Sequence, residues 1–395
     1  MNILIIPSWY PTEKKPFAGF YFLEQAKFLN GKVGINISIL FGDKKSSPLL
    51  KWLLTLAQSV FFRNIHLIKS GLFQSPEKFE FTIPANRRIP DFIQLWLERK
   101  LYKKAFASYS KRYTIPDLVH AQSGMDAAIY AKDIANLTGL PFVILEHQVF
   151  VFHYYSRKRA GLILEAFAAA RKTAAVSYDE RRQVLMNKPN CNPEVIWNFV
   201  DETKYHIQLD KRSKVFTIVT ILNSLPIKGF DTFLEAMFEL SKETQDFRFI
   251  MIGKGADERS NDPTSNAFVI KSKELCIYDF GTFFPIVERD QISDVLNTAH
   301  VFVSPTIQEP HGIAAREAMM CGLPVVSTAN GGVEDGITPE TGLIVPVKSP
   351  NALVEAILKI HKNIHLYNPQ TIRELTIQQC GRKAFLDRMI KFYNV

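Results

Sequence analysis

Thr306-Ile307-Gln308-Glu309-Pro310-His311-Gly312-Ile313-Ala314-Ala315-Arg316-Glu317-Ala318 runs on through Gly322-Leu323-Pro324 into the apolar stretch Val325-Val326-Ser327. Pro310 and Gly312 forbid a continuous helix across the two glutamates, so Glu309 is expected in a loop. Ile313 to Cys321 are expected to form a short helix, stopped by Gly322 ahead of a buried strand. At the start of that helix the N–H groups of Gly312, Ile313 and Ala314, with the positive end of the helix dipole, would hold an anion such as a diphosphate. Glu317, one turn inside, would present a bidentate acceptor suited to the paired hydroxyls of a ribose.

The same alternation of short apolar strands and amphipathic helices runs through the chain, the pattern of parallel α/β sheets. In the first half, strands are expected at Asn2 to Ile6, Ile35 to Leu40, Leu118 to His120, Phe142 to Leu145, Thr173 to Val176 and Val195 to Ile196. In the second half they are expected at Phe216 to Ile221, Phe247 to Ile252, Val269 to Ile270, His300 to Ser304, Pro324 to Ser327 and Gly342 to Val345. Asp201 to Lys214 is polar and aperiodic, which places the domain boundary there. The chain of 395 residues is too long for one ordinary core and fits two α/β domains of roughly 150 to 200 residues. The expected division is 1–203, 204–378 and a closing helix over 379–395, its amphipathic part running from Gln379 to Tyr393. No low-complexity segment or short repeat appears, which excludes a solenoid.

Cys191, Cys276, Cys321 and Cys380 are widely spaced, without a C-x-x-C, and read as buried thiols of a reducing compartment rather than a zinc site. Met1 to Pro7 lacks a basic leader and is too short in its apolar run for a signal peptide, so a cytoplasmic protein is expected. Charge is uneven. Residues 1–200 carry 27 Lys/Arg against 15 Asp/Glu, net +12, while the remainder is −3. Arg87 to Arg112 holds eight basic residues against two acids, and Leu49 to Leu67 is apolar with only Lys51 and Arg63 charged. Together these suggest contact with an anionic membrane face; the alternative is a core helix beside a solvated basic one. No basic-aromatic recognition motif accompanies the charge, which argues against nucleic acid.

Other chemistry is sparser. Gly253-Lys254-Gly255 follows an expected strand and resembles a strand-to-helix turn that approaches a phosphate, but it lacks the full G-x-G-x-x-G, and there is no P-loop. Lys228-Gly229 closes the loop after Phe216 to Ile221, where an ammonium could neutralise a leaving diphosphate. Glu146-His147 directly follows a strand, where α/β sheets hold their ligands; His147 could meet a sugar hydroxyl or simply anchor the loop. His120 reads as structural. His361 and His365 share a helix face at i,i+4 without a third ligand, so no metal is assigned there. Without an Asp-x-Asp, a metal-bridged diphosphate has no candidate ligand set, and no order of Ser, His and Asp supports acyl transfer.

Several of these pieces occur together and in order: Pro7-Ser8-Trp9-Tyr10-Pro11 through Gly19 to Glu24-Gln25-Ala26, Asp117-Leu118-Val119-His120-Ala121, Glu146-His147, Ala175-Val176-Ser177 and Asn198-Phe199-Val200-Asp201. They continue with Lys228-Gly229-Phe230-Asp231, Gly253-Lys254-Gly255, Glu309 to Glu317, Gly322-Leu323-Pro324-Val325-Val326 and Gly331-Gly332. In this the chain resembles the retaining glycosyltransferases of family 4. The resemblance implies the GT-B architecture, with two Rossmann-like domains facing across a cleft and a last helix crossing back to the first. It implies no metal or other cofactor, a nucleotide-sugar donor that is UDP-linked, and a lipid-linked or glycan acceptor at the inner membrane face. By motif match Glu317 would hold the ribose, Lys228 the diphosphate, and Glu309 the donor sugar beside the Gly312-Ile313 backbone. Gly19 would let the first-domain loop approach the phosphates, and His147 would reach the sugar from the other wall.

Three departures stand out. The arginine usual five residues before the lysine is Asn223, so half of the cationic clamp is missing or comes from elsewhere. The usual Pro-Asn-Gly reads Trp197-Asn198-Phe199, and His311 replaces the usual phenylalanine, adding a donor beside the sugar or diphosphate. Two other functions share the fold: a sugar-nucleotide 2-epimerase or hydrolase, and a non-catalytic partner in a glycan-assembly complex. A basic, apolar acceptor domain favours transfer over the first; intact Glu309, Glu317 and Lys228 speak against the second.

Overall fold

The computed structural model describes residues 1–13, 15, 18–61, 65, 67–69 and 75–394. Arg63, one of the two charges in the Leu49 to Leu67 stretch, lies outside the described residues. The chain forms two compact units, Met1–Ile196 with Leu386–Val395, and Trp197–Phe385. The division thus falls ahead of Trp197, not after residue 203, because Asp201 to Lys214 is packed rather than a free linker. Tyr205 is buried there, and the backbone N–H of Gln208 donates to Asn297 Oδ1 at 2.8 Å.

The first unit is an eight-stranded sheet in the order β3-β4-β2-β1-β5-β6-β7-β8. Its strands are β1 (Asn2–Pro7), β2 (Asn36–Ser46), β3 (Ile68–Lys69), β4 (Glu77–Ala85), β5 (Leu118–Gln122), β6 (Phe142–Glu146), β7 (Lys172–Ala175) and β8 (Glu194–Val195). All pairs are parallel except β3 with β4. Strands such as β5 and β6 are buried along their whole length, as helices on both faces require. β4 has no counterpart in the sequence expectation, although Phe79, Phe81 and Ile83 alternate into the core.

The second unit is a six-stranded parallel sheet in the order β11-β10-β9-β12-β13-β14. Its strands are β9 (Phe216–Ile221), β10 (Phe247–Ile252), β11 (Gly281–Phe284), β12 (Val301–Ser304), β13 (Val325–Thr328) and β14 (Gly342–Val345). The strand expected at Val269 to Ile270 is instead part of the helix Ala267–Glu274; an apolar pair of that length cannot distinguish the two periods. Both sheets switch direction once. From β1 the chain winds outward through β2, then returns to the other side at β5; from β9 it winds through β10 and β11, then returns at β12. Such switch points, at the carboxyl ends of the central strands, are where parallel α/β sheets hold ligands.

The expected closing helix from Gln379 to Tyr393 is broken. One helix ends at Cys380 and the next runs Arg382–Tyr393, with Gly381 extended between them. Residues from Leu386 on belong to the first unit, where the Tyr393 hydroxyl lies 3.0 Å from His120 Nδ1. Burial pushes the His120 imidazole down to about 3, so it is a neutral structural group. Of the four cysteines all are free, but Cys276 is exposed rather than buried, in the turn that follows the helix Ala267–Glu274. His361 and His365 do not share a helix. The first lies in Pro350–Lys362 with its ring 4.0 Å from that of Phe216, and the second in a separate 3-10 turn, Ile364–Leu366.

Candidate active site

The second unit's switch point brings together what the sequence keeps 81 residues apart. The loops after β9 and β12 leave neighbouring strands, and Ile307 N donates to Ile227 O across them at 2.8 Å. The β9 loop turns on Asn223, whose Oδ1 accepts from Leu225 N at 3.0 Å, and then forms the short turn Pro226–Lys228. Gly229 follows with φ +70, and a Cβ there would stand 2.1 Å from the Pro305 carbonyl oxygen. Only glycine lets the two loops approach so closely. As a result Lys228 Nζ reaches Glu309 Oε2 at 2.6 Å.

Glu309 is expected in a loop and is in one, yet its backbone is held like a strand. It forms an isolated parallel bridge with Gly331; Glu309 N donates to Asn330 O at 3.0 Å and Gly332 N to Glu309 O at 2.8 Å. Asn330 anchors this in turn. Its buried amide nitrogen donates to Thr306 Oγ1 at 2.8 Å and Ser327 Oγ at 3.1 Å, and its oxygen accepts from Val333 N at 3.2 Å. Asn330 is not among the expected site residues, although an asparagine directly before Gly331-Gly332 is itself a turn signal.

The helix expected from Ile313 spans Ile313–Met320 and ends, as read, before Gly322. Gly312 is its N-cap at φ +79, where a Cβ would meet Val333 at 2.3 Å. Glu317 points inward and is 2% exposed, with Tyr205 OH at 2.7 Å and Arg289 Nη2 at 2.5 Å, both on Oε1. Arg316 is wholly buried, its Nη1 donating to Val333 O at 2.9 Å and Nη2 to Gly332 O at 3.1 Å. That guanidinium ties the helix of Glu317 to the loop that holds Glu309. His311 is buried in the same segment. Gly253-Lys254-Gly255 is not a strand-to-helix turn, since the next helix begins only at Ala267; Gly253 is packed beneath the Leu222 carbonyl instead.

In the first unit, Gly19 sits against Trp9 and opens the helix Phe20–Leu29. His147 follows β6 and is buried against that helix, its ring centroid 4.8 Å from Phe22 and 5.5 Å from Tyr21. The two positions assigned to the first domain thus share one neighbourhood, at the carboxyl ends of β1 and β6. Glu146 shapes it. Its carboxylate accepts from Ser123 Oγ and Gly124 N at 2.7 Å and from His147 N and Gln148 N at 2.9 Å, yet burial pushes its pKa up to about 7. Glu180, also buried, is pushed well above the usual carboxyl range, first by burial and then by the charge of Glu146; among the described residues only Val176 N donates to it. Four donors against one leave the charge on Glu146 and the proton on Glu180. A carboxyl raised on folding contributes stability below its unfolded pKa and loses it as pH rises through the folded value. The melting temperature is therefore expected to fall between about pH 5 and pH 8, and Glu180→Gln to flatten that slope in a pH series of thermal melts. An unchanged slope would place the proton elsewhere.

The likeness to solved proteins follows the same lines. Over 99% of this chain and 98% of the other, the fold matches sucrose-phosphate synthase from Thermosynechococcus elongatus with a TM-score of 0.76 at 18% identity. It matches Anabaena HepE in complex with UDP over 99% of both chains, with a TM-score of 0.73 at 15% identity. Two parallel-sheet α/β units of this kind make up the GT-B architecture. The profile of the glycosyl transferases group 1 matches residues 201–371, in the second unit. The chain is 23% identical over 392 residues to the putative teichuronic acid biosynthesis glycosyltransferase TuaC of Bacillus subtilis (strain 168), covering 95% of this chain and 92% of that one. It is 27% identical over 247 residues to a polypeptide of the human phosphatidylinositol N-acetylglucosaminyltransferase, covering 61% of this chain and 49% of the human one, so it spans about half the length of that relative.

Proposed function

We propose that this protein is a glycosyltransferase that moves a hexose or N-acetylhexosamine from a UDP-linked donor to a lipid-linked or polysaccharide acceptor, with retention and without a metal, in the assembly of cell-surface glycan. The observation that carries the reading is the Lys228–Glu309 pair at 2.6 Å, set beside a helix N-terminus at the switch point of the second sheet. Lys228 and the Ile313–Met320 helix dipole supply the positive field a leaving diphosphate needs, and Glu309 supplies an acceptor for sugar hydroxyls. Glu317 takes the ribose. Attack from the face of the leaving group lets the departing phosphate accept the acceptor's proton, so no separate base is needed. HepE, a fold relative, is solved with UDP and with UDP-glucose, which supports UDP. The names of TuaC and of the human phosphatidylinositol N-acetylglucosaminyltransferase support a cell-surface glycan and a lipid acceptor. Roles for Gly19 toward the donor phosphates and for His147 toward the donor sugar are part of the same proposal.

The test incubates the protein with a panel of nucleotide sugars and membrane lipid extract, following nucleotide release and labelled lipid. Acceptor-dependent transfer is expected; isomerised free donor in the absence of acceptor would sink the reading in favour of an epimerase.

We also place the first unit against an anionic membrane surface, on the inner face. Among the described residues no helix is long and apolar enough to cross a membrane. On the helix Leu49–Phe61, Leu50, Leu53 and Leu54 are exposed, as are Phe92 and Trp96 on the helix Asp91–Ser110. The two helices are joined through Trp52 Nε1 and Gln94 Oε1 at 2.8 Å. Lys100 lies 4.6 Å from the Trp96 ring centroid. Arg99, by contrast, is held by Asp133 through two 2.7 Å bonds, so its charge is already partnered. Replacing Lys100 and Lys51 with alanine is expected to weaken binding to phosphatidylserine vesicles about five-fold per charge at low salt. Binding that is equal in both proteins, or indifferent to salt, would remove the electrostatic part.

A further inference from the structure

We infer that Tyr205 and Arg289 are positioning residues that make the site selective for a ribonucleotide over its 2′-deoxy counterpart, an inference that rests on Glu317 being the ribose acceptor. Glu317 is buried at 2% exposure, and both groups donate to the same oxygen: Tyr205 OH at 2.7 Å and Arg289 Nη2 at 2.5 Å, the latter also 3.0 Å from the Tyr205 hydroxyl. Oε1 is thereby committed. Among the described residues no donor is bonded to Oε2, which leaves that oxygen to accept from a ligand. Turning the carboxylate would strand the buried Tyr205 hydroxyl and break the ion pair with the half-buried Arg289, so Oε2 is fixed in direction before a nucleotide arrives.

The support continues behind the tyrosine. The guanidinium of Arg373 donates through Nη1 to the backbone carbonyls of both Tyr205 and Met320, and through Nη2 to Glu202 O at 2.7 Å. Tyr205, from the segment before β9, is thus fastened to the C-terminal end of the helix that carries Glu317. Arg289, on the connection after β11, is 28% exposed and adds a positive charge beside the carboxylate. An ionised glutamate facing a nucleoside diphosphate would otherwise repel it; Arg289 offsets that charge while keeping Oε1 occupied.

The experiment titrates the protein calorimetrically with UDP, GDP and ADP, takes the nucleotide that binds tightest, and compares it with its 2′-deoxy form. The wild type is expected to prefer the ribonucleotide about ten-fold or more, the value of a hydrogen bond to a charged acceptor. Tyr205→Phe keeps the buried ring and is expected to reduce that preference to about three-fold or less, by letting the carboxylate turn. Arg289→Met is expected to weaken both forms, more so at low salt, because the glutamate charge is left uncompensated. Loss of fold would weaken both nucleotides together and shift the melting curve, whereas the ratio reads orientation alone. A wild-type preference that survives intact in a folded Tyr205→Phe protein overturns the role of Tyr205. A wild type without preference, together with unchanged binding in Glu317→Gln, overturns the ribose assignment as well.

Discussion

Glu309→Gln is expected to lower turnover about a hundred- to a thousand-fold while tightening the binding of the nucleoside diphosphate a few-fold. The two effects have opposite signs because Glu309 meets Lys228 at 2.6 Å. Without ligand, the ammonium that should receive the diphosphate is neutralised by the carboxylate that should receive the sugar. Binding of the intact donor must share or part this pair. Replacing the carboxylate frees the full charge of Lys228 for the phosphates, so the product nucleotide is held more tightly, while the sugar loses its acceptor in the transition state. Lys228→Met is expected to lose both turnover and nucleotide affinity. Initial rates with labelled donor and calorimetry with UDP on the two single variants and the double variant would give the coupling. If Glu309→Gln weakened UDP as much as Lys228→Met does, the ion pair would not compete with the ligand, and the two residues would act in concert rather than in opposition.

Arg316→Met is expected to destabilise the second unit by about 3 kcal/mol, or roughly 10 °C in melting temperature. Arg316 is fully buried, and burial lowers its pKa, so its charge is held at a cost. Its two bonds to Gly332 O and Val333 O satisfy carbonyls that methionine cannot. Two effects compete: release of the buried charge favours the variant, whereas stranding the Gly332 carbonyl and leaving Val333 O with only Gly336 N, at 3.1 Å, disfavours it. The second is expected to prevail because the carbonyls belong to a tightly packed turn; a Cβ on Gly332 would stand only 2.3 Å from Pro310. Chemical denaturation would decide it, and a midpoint equal to the wild type would show that the charge itself costs as much as its bonds return.

The fold was legible where apolar residues gather in short runs: β9, β10 and β14 have the bounds expected of them. Arg248 in β10 and Ile344 in β14 are nevertheless exposed, so such a run need not be covered along its whole length. β4 escaped because its apolar residues alternate with charged ones, a weaker pattern than the runs beside it, and Lys78 is buried among them. The pair Val269-Ile270 misled because two residues carry no period. In the site, Lys228, Glu309, Gly312 and Glu317 were visible because glycine and proline mark their loops and a short helix follows. Tyr205 and Arg289 were not. Tyr205 lies in a stretch read as a linker, 112 residues from Glu317, and a side-chain bond across that span leaves no mark on its neighbours in sequence. Asn223 looked like the loss of a phosphate ligand; in the structure it also turns the loop that delivers Lys228.

The bridge between Glu309 and Gly331 bears on the thermodynamics of substrate capture. A carboxylate on an ordinary loop would lose conformational freedom when sugar binds, and that loss would weaken the complex. Here the ordering is completed when the polypeptide folds, since Asn330 and Gly332 hold the Glu309 backbone on both sides. Only the side-chain torsions remain to be fixed on association. The enthalpy of each new sugar contact can then appear in affinity and rate with little entropic offset from the backbone.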